Sequence, residues 1–194
     1  MSKFSTKLTY SAMAIALATI LSYVKLYDFP FGGSVTCFSM LIICLPGYWF
    51  GLGTGLLTAV AYGVLQFILN PYVLFPLQVV VDYVLAFGAL GLSGVFSSRS
   101  CSPDSKMTHA PIRNLTYGYL LAIFGRFLFT SLSGWLFFGE YAWKGWNPLA
   151  YSMAYNGAYV SAEGLLTVLL LALPPVKKAL IQIAPGGRNT ESQP

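Results

Sequence analysis

Three ionisable residues sit inside apolar stretches of this chain: Asp82, Arg126 and Glu163. A charge at the centre of a membrane helix costs about 2.5–3.5 kcal/mol on insertion scales, so such residues face a bundle interior or a water-filled cavity and meet a partner there. Asp82 and Arg126 can meet each other as a structural ion pair, or one or more of the three can meet a ligand. Asp82 is followed by Tyr83 within "PLQVVVDYVLAFGALGLSGVF", residues 76–96. Arg126, Thr130, Gly134 and Phe138 recur every fourth residue and so share one helical face. Gly134 lets either another helix or a flat ligand approach the backbone. Tyr151, Tyr155 and Tyr159 form a second four-residue ladder, bordered by Asn156. A buried amide needs partners, because an unmet polar group is costly in an apolar setting. Asp82, Thr130 and Asn156 lie at similar depth, about seven to nine residues inside the outer ends of their helices. A pocket holding a carboxylate, an amide, a hydroxyl and several aromatic faces suits a flat, cationic, nitrogen-rich ligand. The carboxylate accepts hydrogen bonds from ring amino groups, and the aromatic faces attract positive charge.

Membrane helices must position these groups. Of 194 residues, 56% are hydrophobic and 9% charged, against about 25% charged in soluble domains. A spanning helix needs about 20 mostly apolar residues, and six candidates fit: 8–26, 35–51, 53–69, 73–96, 115–138 and 149–173. They form one domain over residues 1–180, followed by a polar tail over 181–194. The polar insert from Ser97 to Arg113 is rich in Ser and Pro and reads as a loop. Eight of the eleven basic residues (Lys3, Lys7, Arg99, Lys106, Arg113, Lys177, Lys178 and Arg188) fall on one side. The positive-inside rule puts that side, with both termini, in the cytoplasm. The outer loops "KLYDFPFGGS", "NPYVLFP" and "GEYAWKGWNP" carry Tyr27, Phe29, Phe31, Tyr72, Phe75, Tyr141, Trp143 and Trp146. These rings serve either an interfacial belt or a ligand pocket roofed by glycine- and proline-bearing loops.

Other chemistries find no support. The net charge of +5 has no dense basic cluster that would address nucleic acid. There is no phosphate-binding G-x-x-x-x-G-K-[ST] loop and no H-E-x-x-H pair. The lone His109 lies in the polar insert, away from any nucleophile. Cys37 and Cys44 are expected on one helix, roughly 10 Å apart, too far to bridge, and Cys101 stands alone. Lys3 and Lys7 before an apolar run also begin a signal peptide, but the further spans favour a first transmembrane helix. In that helix Ala12 and Ala16, and Ala14 and Ala18, are four apart. Small residues at this spacing pack helices closely, within the protein or against a partner.

The quoted stretch is joined, in order, by "LSYVKLYDFPFGGSVTCFSML", "GRFLFTSLSGWLFFGEYA" and "GWNPLAYSMAYNGAYV". Together, over about residues 8–180, they resemble the thiamine-specific substrate-binding (S) components of energy-coupling factor (ECF) vitamin transporters. The resemblance implies an all-α, multi-pass protein of the bacterial cell membrane with the six-helix S-component fold. It implies that thiamine is captured near the outer face without covalent chemistry, cofactor or metal. It implies partners: a transmembrane coupling protein (the T component) and two ATP-binding-cassette ATPases, so that this chain itself is not an enzyme. The alanine face of the first helix (Ala12, Ala14, Ala16 and Ala18) would be the docking surface. The family's binding positions fall on Tyr72, Asp82, Tyr83, Gly134, Tyr151 and Asn156, with Asp82 and Asn156 holding the aminopyrimidine and aromatic rings covering the thiazolium. Thr130 stands where well-known members carry histidine, Phe138 where they carry tryptophan, and Asp82 where they carry the longer Glu. Trp135, Trp143 and Trp146 are expected near the pocket, and Arg126 either touches ligand or balances Asp82. A related pyrimidine or another vitamin would suit the same class of subunit. A solitary transporter relaying protons through Asp82 or Glu163 is the contrasting expectation.

Overall fold

The computed structural model describes residues 3–97 and 112–185. Most of the expected inner loop, with Cys101 and His109, and the tail beyond residue 185 lie outside the described residues. Helix α1 (Lys3–Tyr23) leads into a hairpin of β1 (Lys25–Asp28) and β2 (Ser34–Thr36). There follow α2 (Ser39–Phe50), α3 (Leu52–Leu69), α4 (Pro76–Phe96), α5 (Ile112–Phe137), α6 (Pro148–Ala172) and α7 (Pro174–Ile183).

The distribution of side chains is inside-out relative to a water-soluble protein. Leu57 is 75% exposed and Ile20 and Leu165 each 64%, while Gln66, Gln78, Asn156, Glu163 and Thr167 are buried. Lipid tails cover apolar side chains without cost and leave polar groups to pair inside. Phe4–Tyr23, Leu52–Leu69, Pro76–Phe96 and Ile112–Phe137 are each long and apolar enough to cross a bilayer. The α6 helix qualifies together with α7, from which it is bent by 86°. The apolar α2 has 12 residues, about 18 Å at 1.5 Å per residue, short of a hydrocarbon core of about 30 Å.

Most expected helix ends shift by a few residues, the first helix running Lys3–Tyr23 rather than 8–26, and two of the shifts matter here. The helix expected over 35–51 begins at Ser39, because Gly32 adopts φ +91 and turns the chain back on itself. β1 and β2 then pair antiparallel, with Tyr27 opposite Val35 and Asp28 opposite Ser34, so Cys37 precedes α2 and does not share a helix with Cys44. The tail expected from residue 181 is helical to Ile183. Pro174 and Pro175 are tolerated in the first turn, where no intrahelical N–H is required. Val176 and Leu180, one turn apart, face the bundle half-buried, while Lys177 and Lys178 are exposed.

Inside the bundle, α2, α3 and α4 meet backbone to backbone at Gly47, Gly55 and Gly91. Ile43, Tyr62, Leu90, Leu115 and Tyr119 fill the buried core beside them. Hydrogen bonds tie α1 to α3: Thr58 Oγ1 donates to Ser11 Oγ (2.9 Å), Gln66 Nε2 to Ser22 Oγ (3.0 Å) and the Tyr62 hydroxyl to the Ala18 carbonyl (3.4 Å). The alanines of α1 therefore divide. Ala14 (7% exposed) and Ala18 (0%) pack inward and cannot meet a partner, a correction to the four-alanine docking face. Ala12 and Ala16 remain outward.

Candidate functional site

A cavity of about 510 Å³ opens between the hairpin, the 70–75 loop and helices α3 to α6. Tyr72, Asp82, Tyr83, Arg126, Thr130, Gly134, Phe138, Tyr151 and Asn156, the nine residues singled out in the sequence, all line it. The three tryptophans expected near the pocket are not in its lining. Trp143 packs at a tilt behind the wall residue Tyr151 at 5.6 Å, and Trp135 and Trp146 are 47% and 48% exposed.

Asp82 and Tyr83 owe their placement to a break in helix geometry. Between Val80 and Leu85, α4 widens into a π turn, and the Ala86 N–H reaches back five residues to the Val81 carbonyl. Such turns re-aim side chains and recur at functional sites. Gln78, one turn earlier and 1% exposed, organises the region. Its Nε2 donates to Asp82 Oδ2 (3.1 Å) and to the Tyr72 carbonyl (3.0 Å), while its Oε1 accepts the N–H groups of Leu74 (2.8 Å) and Phe75 (3.3 Å). The Tyr83 hydroxyl donates to the Asn70 carbonyl (3.0 Å) and accepts the Tyr72 N–H (2.9 Å). Two α4 side chains thus pin the 70–75 loop and present the Tyr72 ring, which stacks on Phe138 at 6.0 Å and 13°. Gln78 was missed from the sequence, although an amide four residues before an intramembrane acid is the available signal.

On α5 the expected face is intact, but its members have distinct surroundings. Gly134 approaches a helix: a Cβ there would overlap Ser152 Oγ and lie 3.2 Å from Asn156 Nδ2. Thr130 Oγ1 donates to the carbonyls of Arg126 (3.0 Å) and Phe127 (3.2 Å). The Arg126 guanidinium lies 4.0 Å from the Phe87 ring centroid. It makes no ion pair with Asp82; the salt bridge among the described residues is Lys25–Asp28 on the hairpin.

The α6 ladder supports both the wall and the roof. Asn156 Nδ2 donates to the Ser152 carbonyl (2.9 Å), and its Oδ1 accepts the Tyr159 hydroxyl (2.8 Å). The Tyr155 hydroxyl donates to the Pro30 carbonyl and accepts the Gly33 N–H (3.0 Å). Phe29 packs on Tyr155 at 5.9 Å and Tyr159 at 6.1 Å. At the base of the hairpin, Glu163 Oε2 accepts the N–H (2.9 Å) and hydroxyl (2.8 Å) of Thr36, and Oε1 accepts the Met40 N–H (3.3 Å). The α2 N-cap is Phe38, which has no capping side chain. Glu163 supplies the missing acceptor from another helix, where an anion also complements the helix dipole.

The arrangement places a carboxylate, amides and ring faces around one space, with the hairpin and the 70–75 loop over its mouth. The sequence pattern of the thiamine transporter protein family matches residues 8–183, which include the whole cavity wall. The chain belongs to this family. It is similar to the thiamine transporter ThiT of Bacillus subtilis (strain 168), with 32% identity over 176 residues, 89% of this chain and 91% of the relative. The thiamine transporter ThiT of Lacticaseibacillus paracasei (strain ATCC 334) is 28% identical over 142 residues, 73% of this chain and 66% of the relative. A solved structure of ThiT from Listeria monocytogenes superposes with a TM-score of 0.72 at 26% identity, covering 91% of this chain and 98% of that one. This member of the thiamine transporter family is a membrane transport protein, not an enzyme.

Proposed function

We propose that the chain captures thiamine non-covalently in this cavity as the substrate-binding subunit of an ECF importer. One observation carries the reading: in a thiamine transporter family member, nine residues from the 70–75 loop, α4, α5 and α6 converge on one cavity. In this reading Asp82, oriented by Gln78, accepts hydrogen bonds from the aminopyrimidine, with Asn156 beside it. The Tyr72, Phe138 and Tyr151 rings cover the thiazolium, whose charge their faces attract. Six spans, α2 the shortest, leave both termini in the cytoplasm. ATP hydrolysis belongs to two partner ATPases, and the T component docks on the outward Ala12 and Ala16 side of α1.

Calorimetric titration of the detergent-purified protein with thiamine, pyridoxine, riboflavin and biotin tests this. Saturable one-to-one heat with thiamine alone is expected. No thiamine response at micromolar concentrations overturns the ligand. Thiamine uptake by this chain alone into ATP-free vesicles, driven by a pH gradient, overturns the need for ATPase partners.

A further inference from the structure

Away from the cavity, α7 is an element that the protein covers only in part. Helix α6 has 25 residues, about 37 Å at 1.5 Å per residue, enough by itself for a hydrocarbon core of about 30 Å. The chain then turns by 86° into α7. Leu173 is extended and Pro174 and Pro175 open the next helix, so the turn is fixed in the backbone. A helix nearly perpendicular to a spanning one runs along the bilayer surface. Val176, Leu180 and Ile183 recur at helical spacing and form its apolar face. Leu180 packs against the core cluster that includes Leu171, but Ile183 is 51% exposed, so this face runs on past the bundle. Lys177, Lys178 and Gln182 lie on the other face and are exposed. The charge at this end has one sign. Neither lysine pairs with an acid among the described residues, where the salt bridge is Lys25–Asp28. The described acids lie elsewhere: Asp28 on the hairpin, Asp82 in α4, Glu140 beyond α5 and Glu163 at the hairpin base. Arg113, exposed in the first turn of α5, adds another cation at the same end of the bundle.

We propose that α7 is a surface anchor that binds anionic lipid. Its apolar face continues from the bundle onto acyl chains, and Lys177 and Lys178 donate to headgroup phosphate oxygens. Lysine suits this layer, because its methylenes lie along apolar surface while the ammonium reaches the polar region. Amphipathic helices with basic polar faces bind bilayers by apolar burial plus attraction to anionic headgroups. An acidic protein surface would answer the same charge. Lipid is favoured because Leu173, Ile181 and Ile183 are 48%, 42% and 51% exposed, and acyl chains cover such side chains without a matching pocket. Anchored in this way, α7 fixes the level in the bilayer of α6, the helix that carries Tyr151, Asn156 and Glu163. The inference goes beyond the thiamine reading and needs only that α6 crosses the membrane.

The test measures amide hydrogen exchange at residues 178–183 of the full chain in two kinds of vesicle, phosphatidylcholine alone and an equal mixture with phosphatidylglycerol. Exchange is expected to be about 10- to 30-fold slower in the anionic vesicles, the worth of two lysines near a charged surface. Raising the salt from about 0.05 to about 1 M should erase the difference, because the screening length falls to about 3 Å, and that arm needs no variant. K177E/K178E should also erase it, while K177R/K178R, which keeps the charge, should retain it. Unchanged protection of the Thr36 and Met40 amides shows that each variant is folded. Equal α7 exchange of wild type in the two vesicles overturns the proposal. A difference that survives K177E/K178E also overturns it, because the lipid charge would then be read elsewhere. Protection in neither vesicle, gained only on adding ATPase partners, assigns the face to a protein and overturns it too. Failure of thiamine to bind would overturn the functional reading and leave this inference standing.

Discussion

Glu163 on α6 and Asp82 on α4 are intramembrane acids lining one cavity, yet their surroundings contrast. Glu163 is 1% exposed and receives three hydrogen bonds, two of them from backbone N–H groups that would otherwise be orphaned at β2 and at the start of α2. Asp82 sits half-buried in the π turn, oriented through Oδ2 by the Gln78 amide. An acid that completes the protein's own backbone is a structural element. An acid aimed by a neighbour into a cavity is available to a ligand. The same division runs through the whole site: the α6 acid closes the hairpin base, while the α4 acid faces the space the hairpin covers.

The contrast breaks most visibly at Glu163. In Glu163→Ala the Thr36 and Met40 N–H groups lose their acceptor in a buried place, at about 1–3 kcal/mol each. The expected result is a loss of about 3 kcal/mol of stability, read as a lower thermal unfolding midpoint in detergent. Glu163→Gln should recover only part of it, because one of its two positions presents an NH2 group to N–H donors. An unchanged midpoint in Glu163→Ala would remove the structural role.

Asp82→Asn should show the opposite pattern. The unfolding midpoint is expected to stay near wild type, since the amide oxygen still accepts from Gln78. Thiamine affinity should fall about 10- to 100-fold, the worth of a charge-assisted bond to the ligand's amino group. Calorimetry and thermal unfolding on the same preparations separate the two effects. Equal affinity would take Asp82 out of the site, and a midpoint drop matching that of Glu163→Ala would erase the distinction between the acids.

The sequence distinguished these acids poorly because both occur as single charges in apolar runs. What it carried well was periodicity. Arg126, Thr130, Gly134 and Phe138 line one cavity because the 3.6-residue repeat puts every fourth residue on one face, whatever the tertiary contacts. The helical membrane class was legible for a similar reason, since lipid leaves few options for the backbone. The hairpin was not legible. Its short strands depend on Val35 packing against Tyr159 and Val160, more than 120 residues away in sequence. The division of the α1 alanines depends on which face α3 approaches, and Gln78 acquires its role from the loop that folds back over it. The tryptophans were legible only as neighbours of the pocket: Trp143 packs on the wall residue Tyr151 from behind, and proximity to the outer helix ends does not say which side of the wall a ring occupies.

The smallest expected effect concerns the other end of the hairpin. Glu163 holds its base, and the Tyr155 hydroxyl holds its tip through Pro30 and Gly33. Tyr155→Phe removes that hydroxyl but keeps the ring, so the contacts with Phe29, Tyr151 and Tyr159 survive. Near the surface, water replaces part of what is lost, and the cost should be about 1 kcal/mol. Local opening of the tip then becomes about fivefold more frequent, while the base, still tied to Glu163, does not move. Amide hydrogen exchange measures this directly: faster exchange at Gly33 with unchanged protection at Thr36 and Met40 is the expected pattern. Equal acceleration at all three amides would mean that tip and base open as one unit, and that the roof is a single latch held at two points.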